Sequence, residues 1–106
     1  MNPDYAITLG NIGSIKKSMG EYEEALSRYQ KCLYIYQSAL GKKHPGYATT
    51  LNNIGATYEK MDRYEEALKS YEECFTIYES VLGKKHPGYA SILNNIGATY
   101  ESMDRH

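Results

Sequence analysis

The sequence predicts an all-α fold: an alpha-alpha superhelix in which antiparallel helix hairpins stack side by side, with five helices in all. Three observations lead there. The chain repeats itself at an interval of 42 residues, its apolar residues fall in steps of three and four, and the same start and stop residues punctuate each copy. Steps of three and four gather side chains on one helical stripe. One hairpin cannot bury such a stripe alone, so a repeat of this length marks units that stack and share a continuous core.

The repeat is plain on inspection. NPDYAITLGNIG at Asn2 returns as HPGYATTLNNIG at His44 and again as HPGYASILNNIG at His86. Roughly 23 of 42 positions are identical between the first two copies, and about 17 of the 20 residues from His44 to Arg63 recur from His86 onward. The chain, 1–106, is accordingly read as a single domain made of repeat 1 (2–43), repeat 2 (44–85) and a half repeat (86–105) acting as a C-terminal helix.

The first helix of each unit opens at Asn2-Pro3, His44-Pro45 or His86-Pro87. Proline suits a first helical position, where its missing N–H would have gone unpaired. In the second unit the stripe runs through Tyr47, Leu51, Ile54, Gly55, Tyr58 and Met61. The second helix starts near Tyr64, continues through Ala67, Leu68, Tyr71, Cys74, Phe75, Tyr78 and Leu82, and stops at Gly83. Glycine there can take the left-handed turn that caps a helix, and Lys84 and Lys85 follow at the negative end of the helix dipole. Gly41, Lys42 and Lys43 repeat these marks, and the short links around Met19 and Met61 force antiparallel neighbours. The predicted helices span 4–19, 22–40, 45–61, 64–82 and 87–103, with no strands.

Composition narrows the function. Apolar residues make up 42% and charged residues 24%, ordinary for a globular protein. A net charge of −1 argues against nucleic-acid binding, which needs a basic face to neutralise phosphates. No apolar run is long enough to span a membrane, and the N-terminus lacks the pattern of a signal peptide. The expectation is therefore a cytoplasmic protein. Twelve Tyr against one Phe and no Trp is unusual. Tyr carries an apolar ring with a polar tip and suits the rim of a core.

With the helices placed, NIGSIKKSMGEYEEALSRYQKCL and NIGATYEKMDRYEEALKSYEECF resemble the tetratricopeptide repeat. The residues that carry the resemblance are Leu51, Ile54, Gly55, Ala67, Tyr71 and Cys74, and equally Leu9, Ile12, Gly13, Ala25, Tyr29 and Cys32; the third unit supplies Leu93, Ile96, Gly97 and Tyr100. The 42-residue period, LNNIGATYE and the G-K-K-H-P linker are similar to the longer repeats of kinesin light chain. Lys16 departs from the pattern where Tyr58 and Tyr100 stand, and gives the first unit the polar outer surface that a terminal repeat needs. Gly55 and its equivalents are placed on the buried face, where a missing side chain lets helices approach closely.

The resemblance implies a protein–protein interaction scaffold that binds a peptide or protein segment in a concave groove lined by the first helix of each repeat. On that reading the groove residues are Asn11, Thr49, Asn52, Asn53, Ala56, Glu59, Lys60, Asn94, Asn95 and Ala98, with Ile7, Ser14, Lys17, Ser91 and Glu101 beside them. Asn is a poor helix-interior residue, so its repeated use calls for a reason. An amide offers donors and an acceptor to an extended chain; the other account is that these amides bond neighbouring units across the stack. The groove's charge is mixed, and a basic clamp for a C-terminal carboxylate is not visible.

The remaining candidates read as structural. Cys32 and Cys74 lie one unit apart on apolar stripes and are expected as buried thiols, since equivalent positions on neighbouring helices lie too far apart for a disulfide. His44 and His86 start helices in solvated loops and lack the further ligands of a metal site. Glu23-Glu24 and Glu65-Glu66 favour the positive end of a helix dipole. No catalytic constellation stands out, so the protein is read as no enzyme, with no metal and no cofactor. His106 falls where Tyr22 and Tyr64 stand; there the sequence either stops short of a second helix or begins a purification tag. The rival function is an engineered or excised repeat array that folds and self-associates head to tail or by swapping, through the exposed face of the last helix. The parent protein is expected to be longer.

Overall fold

Each first helix starts with one device made from two chemistries. In the computed structural model, which describes residues 2–105, α1 (Pro3–Ser18), α3 (Pro45–Lys60) and α5 (Pro87–Asp104) all open on proline. The residue before it has extended backbone, and its side chain accepts the N–H two residues on. Asn2 Oδ1 takes Asp4 N–H at 2.9 Å, His44 Nδ1 takes Gly46 N–H at 2.9 Å, and His86 Nδ1 takes Gly88 N–H at 3.0 Å. An imidazole lone pair thus does the work of an Asn carbonyl, satisfying one of the orphan donors at a helix start. The histidines are more than loop residues for a second reason. The His44 ring stacks on Tyr36 with centroids 5.5 Å apart, and His86 lies against Tyr78 at 5.1 Å. His106 lies outside the described residues.

The second helices are α2 (Tyr22–Ala39) and α4 (Tyr64–Ile77). The sequence predicts one α-helix over 64–82, but the last turn, Tyr78–Leu82, is π-helical. Gly83 N–H reaches back five residues to the Tyr78 carbonyl at 2.7 Å, which widens the closing turn. In α2 the Tyr36 carbonyl accepts from both Leu40 and Gly41, at 2.8 and 2.9 Å. Gly83 has φ +94° and ψ 153°, an extended region that is essentially glycine's alone, rather than the left-handed helical turn expected. Positive φ also occurs at Gly41 (φ +90°) after α2 and, inside the hairpins, at Gly20 (φ +79°) and Asp62 (φ +59°). There Glu21 N–H closes onto Lys16 and Arg63 N–H onto Tyr58, both at 2.9 Å.

The chain is an all-α stack: α1 pairs with α2, α3 with α4, and each second helix also packs on the next first helix. The core follows that order. Tyr29 and Tyr71 are fully buried, each ring pressed on a glycine of its partner helix. A Cβ on Gly13 would come within 2.8 Å of Tyr29, and one on Gly55 within 2.5 Å of Tyr71, so a side chain at either site has no room. The next interface repeats the device with Gly46 under Tyr36 and Gly88 under Tyr78. Cys32 and Cys74 are free and buried. Burial pushes the Cys74 thiol up to about 12 and raises Cys32 as well. Lys16, where the other units carry Tyr, bridges Glu21 and Glu24 at 3.1 and 3.0 Å, whereas Arg63 covers the Tyr58 ring at 5.1 Å. Among the described residues no helix is long and apolar enough to cross a membrane.

Candidate peptide-binding groove

The first helices α1, α3 and α5 follow one another along one face, and two hollows lie between them. The first, of about 250 Å³, is bordered by Ile7, Gly10, Asn11 and Ser14 of α1 and by Thr49 and Asn53 of α3. Its floor includes Cys32 and Tyr36 of α2 together with Gly46. The second, of about 390 Å³, is bordered by Ala56, Glu59 and Lys60 of α3, Tyr64 and Tyr71 of α4, and Asn95 and Ser102 of α5. Steps of four along a helix set these rows: Asn11 follows Ile7, and Asn53 follows Thr49.

The asparagines divide into two groups. Asn95 Nδ2 donates to Asn52 Oδ1 at 2.8 Å, a bond between helices one unit apart. That pair ties the stack together and uses one donor and one acceptor of the two amides. Asn11 and Asn53 border the first hollow, and among the described residues no protein group bonds to either amide. The backbone carbonyl of Asn53 accepts from the Thr57 hydroxyl at 2.8 Å, which keeps that hydroxyl satisfied inside the helix. Asn94 and Ala98 are exposed and border neither hollow.

Charge in the face is mixed. Tyr71 donates to Glu59 at 3.1 Å; burial first, and then the Glu59 charge, raise the Tyr71 phenol above its usual value. In the first unit the partner of Tyr29 is neutral, the Ser14 hydroxyl at 2.8 Å. Lys17 is held below the usual lysine value, mainly by burial and also by the charge of Lys60 one unit along. Among the described residues no cluster of three metal-ligating side chains forms.

Sequence reasoning did not single out Tyr36, Gly46, Tyr64 or Tyr71 for the hollows. A signal for two of them was present. Tyr36 precedes His44-Pro45-Gly46 as Tyr78 precedes His86-Pro87-Gly88, and a ring and a glycine repeated together point to contact.

The sequence matches the tetratricopeptide repeat family over residues 4–80 and again over 48–106. No curated protein matches it. The fold is similar to that of BtubC (BKLC) from P. vanneervenii, with TM-score 0.87 and 22% identity over 97% of this chain and 41% of that one. It is also similar to a putative kinesin light chain with nearly identical TPR-like repeats from Podosopora anserina, with TM-score 0.84, 16% identity, and 98% and 49% of the two chains covered. A second structure of that protein, carrying one substitution, gives TM-score 0.84 and 17% identity, over 99% of this chain and 50% of that one. The chain therefore spans half or less of the length of these solved relatives.

Proposed function

The chain belongs to the tetratricopeptide repeat family, and from that premise we propose that it holds an extended peptide or protein segment against the face formed by α1, α3 and α5. Repeats of this family mediate protein–protein interaction, and the family is typically a non-enzymatic scaffold. On this reading the chain is two complete units, 2–43 and 44–85, followed by the first helix of a third over 86–105. It binds rather than catalyses, needs no cofactor, and works in the cytoplasm.

The observation that carries the reading is the hollow between α1 and α3. Asn11 and Asn53 bring amides with free donors and acceptors to its rim, and Ile7 and Thr49 add apolar surface. An extended peptide has unpaired N–H and C=O groups along its backbone, which such amides can satisfy in pairs. Asn52 and Asn95 hold the spacing of neighbouring units, while Glu59, Lys60 and Ala56 line the path beyond.

Selection of peptides from a displayed random library on the full chain tests the proposal. Asn53→Ala is expected to weaken a selected peptide about two- to tenfold, the worth of one hydrogen bond, and to leave the melting temperature unchanged. A large fall in melting temperature with unchanged capture assigns that amide to the stack and removes the groove reading.

A second reading, head-to-tail self-association, has its own support. An apolar hollow of about 410 Å³ lined by Tyr5, Leu9, Tyr34 and Ile35 lies at one end of the stack. Leu93 and Tyr100 are exposed at the other. Two open apolar ends favour heterologous contacts that need not close. Light scattering over a concentration series separates the readings: a strict monomer at high concentration rules self-association out.

A further inference from the structure

We propose that Gly10 opens a subsite between α1 and α3 that takes one large, uncharged side chain of the segment held in the groove. This rests on the groove reading and adds to it where the segment is anchored and by what chemistry. The two junctions between units differ at one place. Gly10 stands 42 residues before Asn52, so the two occupy matching positions on α1 and α3. Where α3 meets α5, Asn52 Oδ1 accepts from Asn95 Nδ2 at 2.8 Å, and the amide pair spans the junction. The hollow there lies beyond that bridge, against Ala56, Glu59 and Lys60 of α3. Where α1 meets α3, Asn53 matches Asn95 but finds a glycine in place of its partner. The hollow of about 250 Å³ is bordered by both Gly10 and Asn53.

Packing does not call for this glycine. A Cβ on Gly13 or Gly55 would press on a tyrosine ring at 2.8 or 2.5 Å, whereas one on Gly10 would meet only Cys32 Sγ, at 3.6 Å, an ordinary contact. Glycine inside a helix is unfavourable, so Gly10 weakens α1 although no neighbouring group needs the space. What it leaves is room, and the room is neutral. No charged side chain lines it; Ile7 forms part of its border, and Tyr36 and Cys32 part of its floor. Its inner polar groups are already matched. The Thr50 hydroxyl donates to the Gly46 carbonyl at 2.8 Å with the Cys32 thiol 3.3 Å away, and Ser14 pairs with Tyr29 at 2.8 Å. A charged group entering would lose its water and gain no partner, whereas an apolar one is driven in by leaving water. The volume falls below the roughly 300–1,000 Å³ of small-molecule pockets and suits a single side chain. Asn11 and Asn53 then flank the anchor and reach the backbone beside it.

The test takes peptides selected from a displayed random library on the full chain and follows their binding by fluorescence anisotropy. One peptide position should be enriched in large uncharged side chains. Replacing that anchor by Ala should weaken binding about tenfold or more, the worth of burying such a side chain. Gly10→Leu fills the hollow and should weaken the parent peptide as much. The two losses should not add, so the Ala peptide should bind the unaltered chain and the Gly10→Leu chain equally. Gly10→Asn restores a partner for Asn53 and should also weaken binding, with a melting temperature no lower than that of the unaltered chain; it replaces Gly10→Leu in the comparison if the leucine variant does not fold. Peptides that Asn53→Ala weakens but Gly10→Leu leaves unchanged keep the groove and overturn the subsite. Additive losses overturn it too, because the anchor then sits elsewhere, and so does enrichment of a charged anchor. Failure to select any peptide, or indifference to both substitutions, removes the groove reading and the subsite with it.

Discussion

α3 and α5 carry almost the same residues in different surroundings, and the difference shows what tertiary context adds to a repeated sequence. Each has Pro at its start, a His cap before it, and LNNIGATYE through its middle. Both are helices along their whole length, so the local code for helix is sufficient in either place. Burial is another matter. Gly55 is pinned under Tyr71, whereas Gly97 faces open space; Leu51 is buried, whereas Leu93 is exposed. The side of α5 that turns toward α4 behaves like its counterpart: Ile92 is 1% exposed, and Tyr89 meets Phe75 with ring centroids 5.5 Å apart. Helix identity is thus set residue by residue, and the energy of each residue is set by which neighbour is present.

Matched substitutions can break or sharpen that contrast. The largest effect is expected for leucine. Leu51→Ala removes a buried side chain and should cost about 2–5 kcal/mol, as large-to-small core changes do. Leu93→Ala should cost under about 1 kcal/mol, because much of that side chain is already in water. Urea denaturation of the two variants measures the gap directly, and equal losses would mean that the α5 face is covered in solution. Gly55→Ala comes next. Its new Cβ meets the Tyr71 ring, and overpacking of this kind costs about 1–3 kcal/mol, more than the helix propensity that Ala gains.

A smaller effect tests the caps. His44→Ala removes the acceptor for Gly46 N–H and should cost about 0.5–2 kcal/mol. His44→Asn should keep most of that stability, because Asn2 does the same work at the start of α1. If both variants lose equally by thermal denaturation, the ring contact with Tyr36 matters more than the hydrogen bond.

Much of this arrangement was legible from spacing alone. The 42-residue period, the stripes and the Pro starts locate five helices to within a residue or two, apart from the end of α4. That turn escaped because the step from four- to five-residue hydrogen bonding at Tyr78 is a property of how Gly83 leaves the helix, which no side-chain pattern encodes. The glycines of the stripe were legible as sites of close approach, but the rings that meet them were not, since pairing needs the angle between helices. The asparagines were legible as a set. Their division into a stacking pair, Asn52 with Asn95, and the unbonded Asn11 and Asn53 follows from Gly10, which stands where Asn52 stands and offers Asn53 no amide one unit back; that consequence shows only once the bond between units is seen.

The smallest predicted effect is also the one most specific to the comparison, because it reverses sign. Gly97→Ala places a methyl group where nothing lies within 4 Å, in the interior of a helix whose backbone already suits Ala. Gly loses more conformational freedom than Ala when a helix forms, so the substitution should stabilise the chain by about 0.5–1 kcal/mol, largely through the unfolded state. The same change 42 residues earlier, at Gly55, should destabilise it, since there the ring of Tyr71 outweighs the entropic gain. Only the presence of α4 distinguishes the two sites. A rise in the denaturation midpoint for Gly97→Ala alongside a fall for Gly55→Ala would show that the neighbour sets the sign. A fall at both would mean that α5 is already clasped by something in solution, and would turn attention from an open face to the partner that closes it.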